Sequence, residues 1–268
     1  LKFLDKQWLK QKKSLGQNFL IDQNIINKIT NLIEIKNKCI LEVGPGTGNL
    51  TSSILKKNPK KVYVVEKDNN LALRLNKEFE NQIIIINDDI LKINEKLICN
   101  QELIVFGNLP YNISTEILCK WILNLNNKKI WFTNLILMFQ KEVADRIISK
   151  YNNSNYGRLS ILANWKLKIK KIIDIKPNSF SPSPKIDSSL LFFSLKENFL
   201  DLKNPNNLEK ITRIFFNHRR KMIKKPYFSL FPDDNVSKKL KLDLNLRPQN
   251  LDYDVYYDLA NEYEKLRS

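Results

Sequence analysis

A chain of 268 residues, 43% of them hydrophobic, is long enough for one large α/β domain with a small second domain attached. Its 45 Lys and Arg against 28 Asp and Glu leave a formal net charge of +17, which favours a polyanionic partner, nucleic acid first, through phosphate neutralisation and counterion release. Lys, Asn and Ile abound throughout, so part of that excess is compositional, but it is not a basic tail: residues 196–268 carry 15 basic and 11 acidic side chains, which leaves 30 and 17 for residues 1–195.

The first periodic segment follows Asp22, an N-capping residue ahead of Ile25, Ile26, Ile29 and Ile33 at helical spacing. From Lys38 onward, short apolar runs bounded by Gly, Pro, Asn and Asp alternate with longer helical stretches, the rhythm of β-α-β units. The runs Cys39–Val43, Lys61–Glu66, Ile83–Asn87 and Leu103–Gly107 are predicted as the first four parallel strands, and Leu135–Phe139 as a fifth. Residues 159–171 read as a further strand, with Lys166, Lys168 and Lys170 on a wet, basic face and Leu167 and Ile169 opposite. A rigid Pro/Ser-rich loop, Pro177 to Pro184, leads to a last strand, Ser188–Leu195, which closes an antiparallel hairpin on the parallel sheet. After Asn204-Pro205 the pattern turns helical, with Ile211, Ile214 and Phe215 in phase, and predicts a small helical domain of about 70 residues. The chain therefore divides at 195/196. Cys39, Cys99 and Cys119 are odd in number, dispersed and never in a C-x-x-C arrangement, which suggests neither a disulfide framework nor a zinc site and fits a reducing cytoplasm. No apolar run approaches the ~20 residues that span a bilayer, and no signal-peptide core is present.

Chemistry concentrates at strand ends. Gly44-Pro45-Gly46-Thr47-Gly48 follows the first strand and opens a helix, which lets a ligand approach the backbone closely. A dinucleotide fingerprint requires G-x-G-x-x-G, and the position three after Gly46 is Asn49. That argues against NAD and for a ligand without pyrophosphate, such as an amino-acid-bearing nucleoside. Glu66, at the end of the second strand, can accept from both ribose hydroxyls. Asp89, at the end of the third, can accept from an adenine amino group, with Asp88 as a solvated neighbour. An acidic residue at a strand end is, alone, more often a solvated turn residue; with the glycine loop, three such features stand on successive strand ends, where open α/β sheets bind ligands.

Gly107-Asn108-Leu109-Pro110-Tyr111 follows the fourth strand. An adenine amino nitrogen is a poor nucleophile because its lone pair is delocalised into the ring, so an enzyme must draw that pair out and aim it. The Asn108 side-chain oxygen and the Leu109 carbonyl can receive the two amino hydrogens, with Pro110 fixing the backbone. Tyr111 offers a flat face to a base taken out of its stack. The plain alternative is a turn after a strand, which Asn and Pro favour.

Asn108-Leu109-Pro110-Tyr111-Asn112-Ile113-Ser114-Thr115 resembles the signature of the small-subunit ribosomal RNA adenine dimethyltransferases. The resemblance runs over nearly the whole chain, through Lys13-Ser14-Leu15-Gly16-Gln17-Asn18-Phe19-Leu20-Ile21-Asp22, Gln140-Lys141-Glu142-Val143-Ala144-Asp145-Arg146, Pro184-Lys185-Ile186-Asp187-Ser188 and Phe216-Asn217-His218-Arg219-Arg220-Lys221. It departs at Leu15, where the family carries an aromatic residue, and at Leu1, which is not Met. The resemblance implies a Rossmann-like S-adenosylmethionine-dependent methyltransferase sheet over residues 1–195 and a small helical RNA-contacting domain over 196–268. It implies that Asn18, Leu20, Gly44, Glu66, Asp89 and Asn108 contact S-adenosylmethionine, and that Phe180 stacks on the target base opposite Tyr111. The implied substrate is a pair of adjacent adenines in a hairpin loop near the 3′ end of small-subunit rRNA, within the immature 30S subunit. Lys166, Lys168, Arg219, Arg220 and Lys221 are expected on RNA phosphate, with a solvated face as the alternative, and His218 is expected to pack or face water. A cytoplasmic monomer is expected. The other readings are a macrolide-resistance methylase of large-subunit rRNA, a DNA adenine methyltransferase, and an assembly factor that acts mainly by binding. Leu109 and Phe-x-x-Arg-Arg-Lys favour the small-subunit branch over the first, and the absence of a sizeable target-recognition region disfavours the second.

Overall fold

The computed structural model describes residues 17–126 and 130–267. Of the motifs above, Leu1, Lys13, Ser14, Leu15 and Gly16 lie outside the described residues. Among the described residues nine strands run in chain order: β1 Phe19–Leu20, β2 Cys39–Val43, β3 Lys61–Val65, β4 Ile84–Ile86, β5 Leu103–Asn108, β6 Phe132–Gln140, β7 Leu167–Ile175, β8 Phe180–Ser181 and β9 Ser188–Leu195. The helices are α1 Gln23–Thr30, α2 Asn49–Leu55, α3 Asn69–Phe79, α4 Ser114–Asn124, α5 Lys141–Ile147, α6 Arg158–Lys166, α7 Asn206–Phe216, α8 Lys224–Phe228, α9 Asn235–Lys239 and α10 Tyr253–Lys265.

Seven strands form one sheet in the order β4-β3-β2-β5-β6-β9-β7. The five from β2 to β6 are mutually parallel, and β9 lies antiparallel between β6 and β7. A parallel sheet is covered on both faces, so its strands must be apolar on both, and every residue of β2 is buried. Alternate side chains divide between two cores. Leu41, Val43 and Val105 join the cluster with Trp121 of α4 and Trp165 of α6, whereas Ile40, Val64 and Phe106 join the cluster with Ile26 of α1 and Ile54 of α2. The expected cap is in place: Asp22 Oδ1 accepts the Asn24 and Ile25 N–H groups at 2.9 and 3.3 Å, and α1 ends at Thr30, short of Ile33.

Residues 159–171 are not one strand. Arg158–Lys166 is helical, burying Ile161, Leu162 and Trp165, and the chain becomes extended only at Leu167. Lys166 is therefore not on a wet face. It is fully buried, and its ammonium donates to the Ile122 carbonyl at 3.1 Å and to the Leu125 carbonyl, at the carboxyl end of α4, while lying 3.8 Å from the Trp165 ring centroid. Burial pulls its pKa down to about 8, so it remains a cation at pH 7, held at the negative carboxyl end of α4. The hairpin of β7 and β9 matches the sequence expectation, with Lys168 and Lys170 exposed on β7.

The C-terminal helices share the cluster of α6 rather than a separate core, through Leu208, Ile211, Phe215, Tyr256 and Leu259. Buried hydroxyls fasten the two parts: Tyr257 donates to the Ile161 carbonyl at 2.9 Å, and Tyr156 to the Leu251 carbonyl at 2.8 Å. A second, two-stranded sheet was not legible beforehand: β1 pairs antiparallel with β8, Phe19 opposite Ser181 and Leu20 opposite Phe180. Ser179 reinforces this clasp by accepting the Ile21 N–H on its carbonyl at 2.9 Å and donating its hydroxyl to Asp22 Oδ2 at 3.1 Å.

Candidate active site

The carboxyl ends of β2, β3, β4 and β5 surround a cleft of about 210 Å³. Its floor is the glycine loop after β2, where Gly44, Gly46 and Gly48 have φ of +71°, +57° and +80°, a region that side chains with a Cβ rarely adopt. At Gly46 the reason is packing against the protein itself, since a Cβ would stand 2.5 Å from Phe19 Cδ1. The loop is thus shaped by β1 lying over it.

Of the three carboxylates lining the cleft, Glu66 and Asp89 are in different electrostatic states. Glu66, the residue after β3, is 6% exposed and accepts the Asp68 N–H at 2.8 Å. Burial raises its pKa, opposed by N–H groups of Asp68, Gly46 and Lys67. Asp89 is held below the usual carboxylate range mainly by Lys67, whose ammonium lies 2.8 Å from Oδ2, while Oδ1 accepts the Leu91 N–H at 3.0 Å. Asp88 is exposed and accepts the Asp89 N–H.

At the end of β5, the Asn108 side chain is oriented by one bond: its Nδ2 donates to the Asn18 carbonyl at 2.7 Å. The amide nitrogen is committed there, so Oδ1 is the end left to accept. The Leu109 side chain turns inward, 1% exposed, against Gly107, where a Cβ would meet it at 2.8 Å. The turn closes with the Ile113 N–H on the Pro110 carbonyl at 3.1 Å. The Tyr111 hydroxyl is hydrogen-bonded to the Ser188 hydroxyl at 2.5 Å, which fixes the ring in the cleft wall, and burial raises its pKa despite that bond.

Asn18, Gly44, Glu66, Asp89, Asn108, Leu109, Pro110 and Tyr111 all line this cleft. Leu20 does not; it borders a smaller adjoining recess with Glu42, Gly44 and Asn108. Phe180 is also off the cleft wall: 3% exposed and strand-paired to Leu20, it belongs to the core under α1 and α2. Among the expected RNA contacts, Lys166 is excluded by burial. Arg219 is engaged with the protein, Nε to Gln249 at 3.1 Å and NH2 to the Ser154 carbonyl at 2.6 Å. Lys168, Arg220 and Lys221 are exposed, as is His218.

Sequence reading missed Lys67 and Glu42. Glu42 is 1% exposed on β2, accepts from the Thr51 hydroxyl at 2.6 Å, and is pushed up to about 7 by burial, with Glu66 adding to the rise. A carboxylate inside the apolar run Cys39–Val43 was the available signal, because buried acids are rare without a partner.

The family model for "Ribosomal RNA adenine dimethylase" matches residues 8–265. The chain is 65% identical over 261 residues to "Ribosomal RNA small subunit methyltransferase A" of Pelagibacter ubique (strain HTCC1062), covering 97% of this chain and 99% of that one. The protein of the same name from Ehrlichia ruminantium (strain Gardel) is 41% identical over 263 residues, covering 96% and 98%. Among solved structures, a dimethyladenosine transferase from Plasmodium falciparum superposes with a TM-score of 0.77 at 27% identity, covering 92% of this chain and 98% of that one. The 23S rRNA methyltransferase ErmE shares the fold, with a TM-score of 0.68 at 21% identity over 92% and 100%.

Proposed function

The chain belongs to the ribosomal RNA adenine dimethylase family, and from that premise we propose that it dimethylates the exocyclic amino groups of two adjacent adenines in a hairpin loop near the 3′ end of small-subunit rRNA. The family's methyl donor is S-adenosylmethionine, which when bound supplies an electrophilic methyl group on a sulfonium. The residues present fit that donor. Glu66 and Asp89 offer carboxylates for ribose hydroxyls and an adenine amino group, Leu71, Ile90 and Leu91 offer an apolar wall, and the third glycine of the loop, Gly48, stands one residue early for a pyrophosphate cradle. Asn18, Gly44, Glu66, Asp89 and Asn108 would hold it.

The observation that carries the reading is the Asn108 amide fixed by the Asn18 carbonyl at the edge of the donor cleft. Asn108 Oδ1 and the Leu109 carbonyl then accept the two amino hydrogens of the target adenine. This draws the nitrogen lone pair out of conjugation and aligns it. Tyr111, tethered to Ser188, positions the flipped base. After transfer the nitrogen is cationic and acidic, and its proton leaves to solvent without a dedicated base.

Phe180, buried in the clasp, stacks on the base only if the segment around β8 turns it outward. The net charge of +17 supports an RNA-rich partner, the immature small subunit, engaged by a single copy through Lys168, Arg220 and Lys221. No helix among the described residues is long and apolar enough to cross a membrane, consistent with work on ribosomes in the cytoplasm. Mass mapping of small-subunit rRNA from cells lacking this chain tests the proposal. Loss of dimethyladenosine near the 3′ end supports it; intact dimethylation there, or loss from large-subunit rRNA instead, refutes it.

A further inference from the structure

At the amino ends of the strands, away from the cleft, two of the three cysteines share one neighbour. Cys39 opens β2 and is 3% exposed; Cys99 lies ahead of β5 and is partly exposed. Gln101 holds both, since the Cys39 thiol donates to its Oε1 at 3.2 Å and its own N–H donates to Cys99 Sγ at 3.4 Å. The Tyr63 hydroxyl on β3 and the Cys39 thiol also act electrostatically on Cys99, both favouring its thiolate.

We propose that Cys39 and Cys99 are a modification site, a dithiol that a hydroperoxide converts to a disulfide and a thiol reductant restores. Both sulfurs lie against Gln101, so the bond forms between side chains of adjoining segments, Cys39 at the start of β2 and Cys99 in the segment leading to β5. The partly exposed sulfur meets the oxidant and the buried one resolves it. The acidities follow that order. Burial acts to raise Cys99, but the Gln101 N–H, the Tyr63 hydroxyl and the Cys39 thiol hold it below the ordinary value, whereas burial and the Cys99 thiol raise Cys39. In the first step the Cys99 thiolate attacks a peroxide oxygen, the O–O bond breaks, and a sulfenic acid and hydroxide result. In the second the Cys39 sulfur, giving up its proton, displaces hydroxide from the sulfenic sulfur. Two thiols and one hydrogen peroxide give one disulfide and two waters, the sulfurs losing the two electrons that the peroxide gains. Cys119, on α4, is pushed up to about 11 by burial and stays a thiol.

The pair sits at the amino ends of β2 and β5, roughly 15 Å by strand rise from Gly44 and Asn108, so its chemistry is readable whether or not the methyl-transfer reading stands. The full chain is treated with hydrogen peroxide, then denatured and alkylated with iodoacetamide. The reduced chain takes three carbamidomethyl groups. The expected oxidised chain takes one, at Cys119, yields a peptide pair joining residues 39 and 99, and recovers all three sites after dithiothreitol. The variant Cys39→Ser is expected to leave a dimedone-reactive sulfenic acid at Cys99, and Cys99→Ser to form no intramolecular link. Three alkylated thiols after peroxide, a sulfinic acid at Cys99 beside a free Cys39, or a link through Cys119 would each overturn the proposal.

Discussion

Replacing Asn108 with alanine separates the two roles that one side chain fills. The variant removes the oxygen that accepts from the target amino group and the 2.7 Å bond from Nδ2 to the Asn18 carbonyl. Loss of a preorganised transition-state partner in a water-poor site lowers kcat by roughly 10²–10³, or about 2.7–4 kcal/mol. Loss of the tether removes a net contribution of about 1 kcal/mol, which weakens the donor by about fivefold through the loosened Asn18. The kcat loss should therefore exceed the change in S-adenosylmethionine affinity by at least tenfold. Tritium transfer from labelled donor to purified small subunits, at saturating concentrations of both, gives kcat; calorimetry gives the donor Kd. Asn108→Asp keeps an oxygen but sets a carboxylate against the Asn18 carbonyl, and is expected to lose donor affinity as well. Equal losses of kcat and donor affinity in Asn108→Ala, or a kcat within tenfold of the parent, would refute the assignment.

Glu42 gives a pH signature. The folded chain keeps the carboxyl proton up to about 7 whereas the unfolded chain loses it near 4.5, so stability falls as pH rises through that window, by about 3 kcal/mol in all. Glu42→Gln, neutral throughout, should flatten the fall when urea unfolding is compared at pH 5 and pH 8; an undiminished decline contradicts this. Gly46→Ala meets both a φ of +57° and a Cβ placed 2.5 Å from Phe19, and should lower stability by roughly 1–3 kcal/mol together with donor affinity. Thermal melts and calorimetry unchanged from the parent would show that the loop relaxes freely. Charge reversal at Lys168 and Lys170 should weaken RNA binding and reduce the salt slope of log K by about 0.7–0.9 per lost phosphate contact. An unaltered slope would assign that strand face to solvent alone.

The strands were legible because a covered parallel sheet writes itself as short apolar runs, and the cleft because glycine, carboxylate and Asn-Leu-Pro-Tyr features recur at their carboxyl ends. Lys166 was misplaced for a reason the sequence could not resolve. Alternation over residues 166–170 has strand period, but its first member is the last residue of α6, and only tertiary packing buries it against the α4 carbonyls. The intramolecular bonds of Arg219 were likewise not foreseeable, since its partners Ser154 and Gln249 are distant in sequence. The clasp of β1 and β8 was invisible because two-residue strands carry no periodicity. Lys67 was overlooked because a lysine beside a strand end reads as ordinary surface until Asp89 is found 2.8 Å away.

Residues 18–20 act as a crossbar. Phe19 presses on Gly46, the Asn18 carbonyl steers Asn108, and Leu20 is laced to Phe180 across the molecule. The wall that would receive the donor and the segment that would greet the incoming base are thereby one mechanical part, and neither can shift without dragging the other. A substitution in the turn at Pro177–Ser179 should consequently be felt on the donor side, although that turn does not line the cleft.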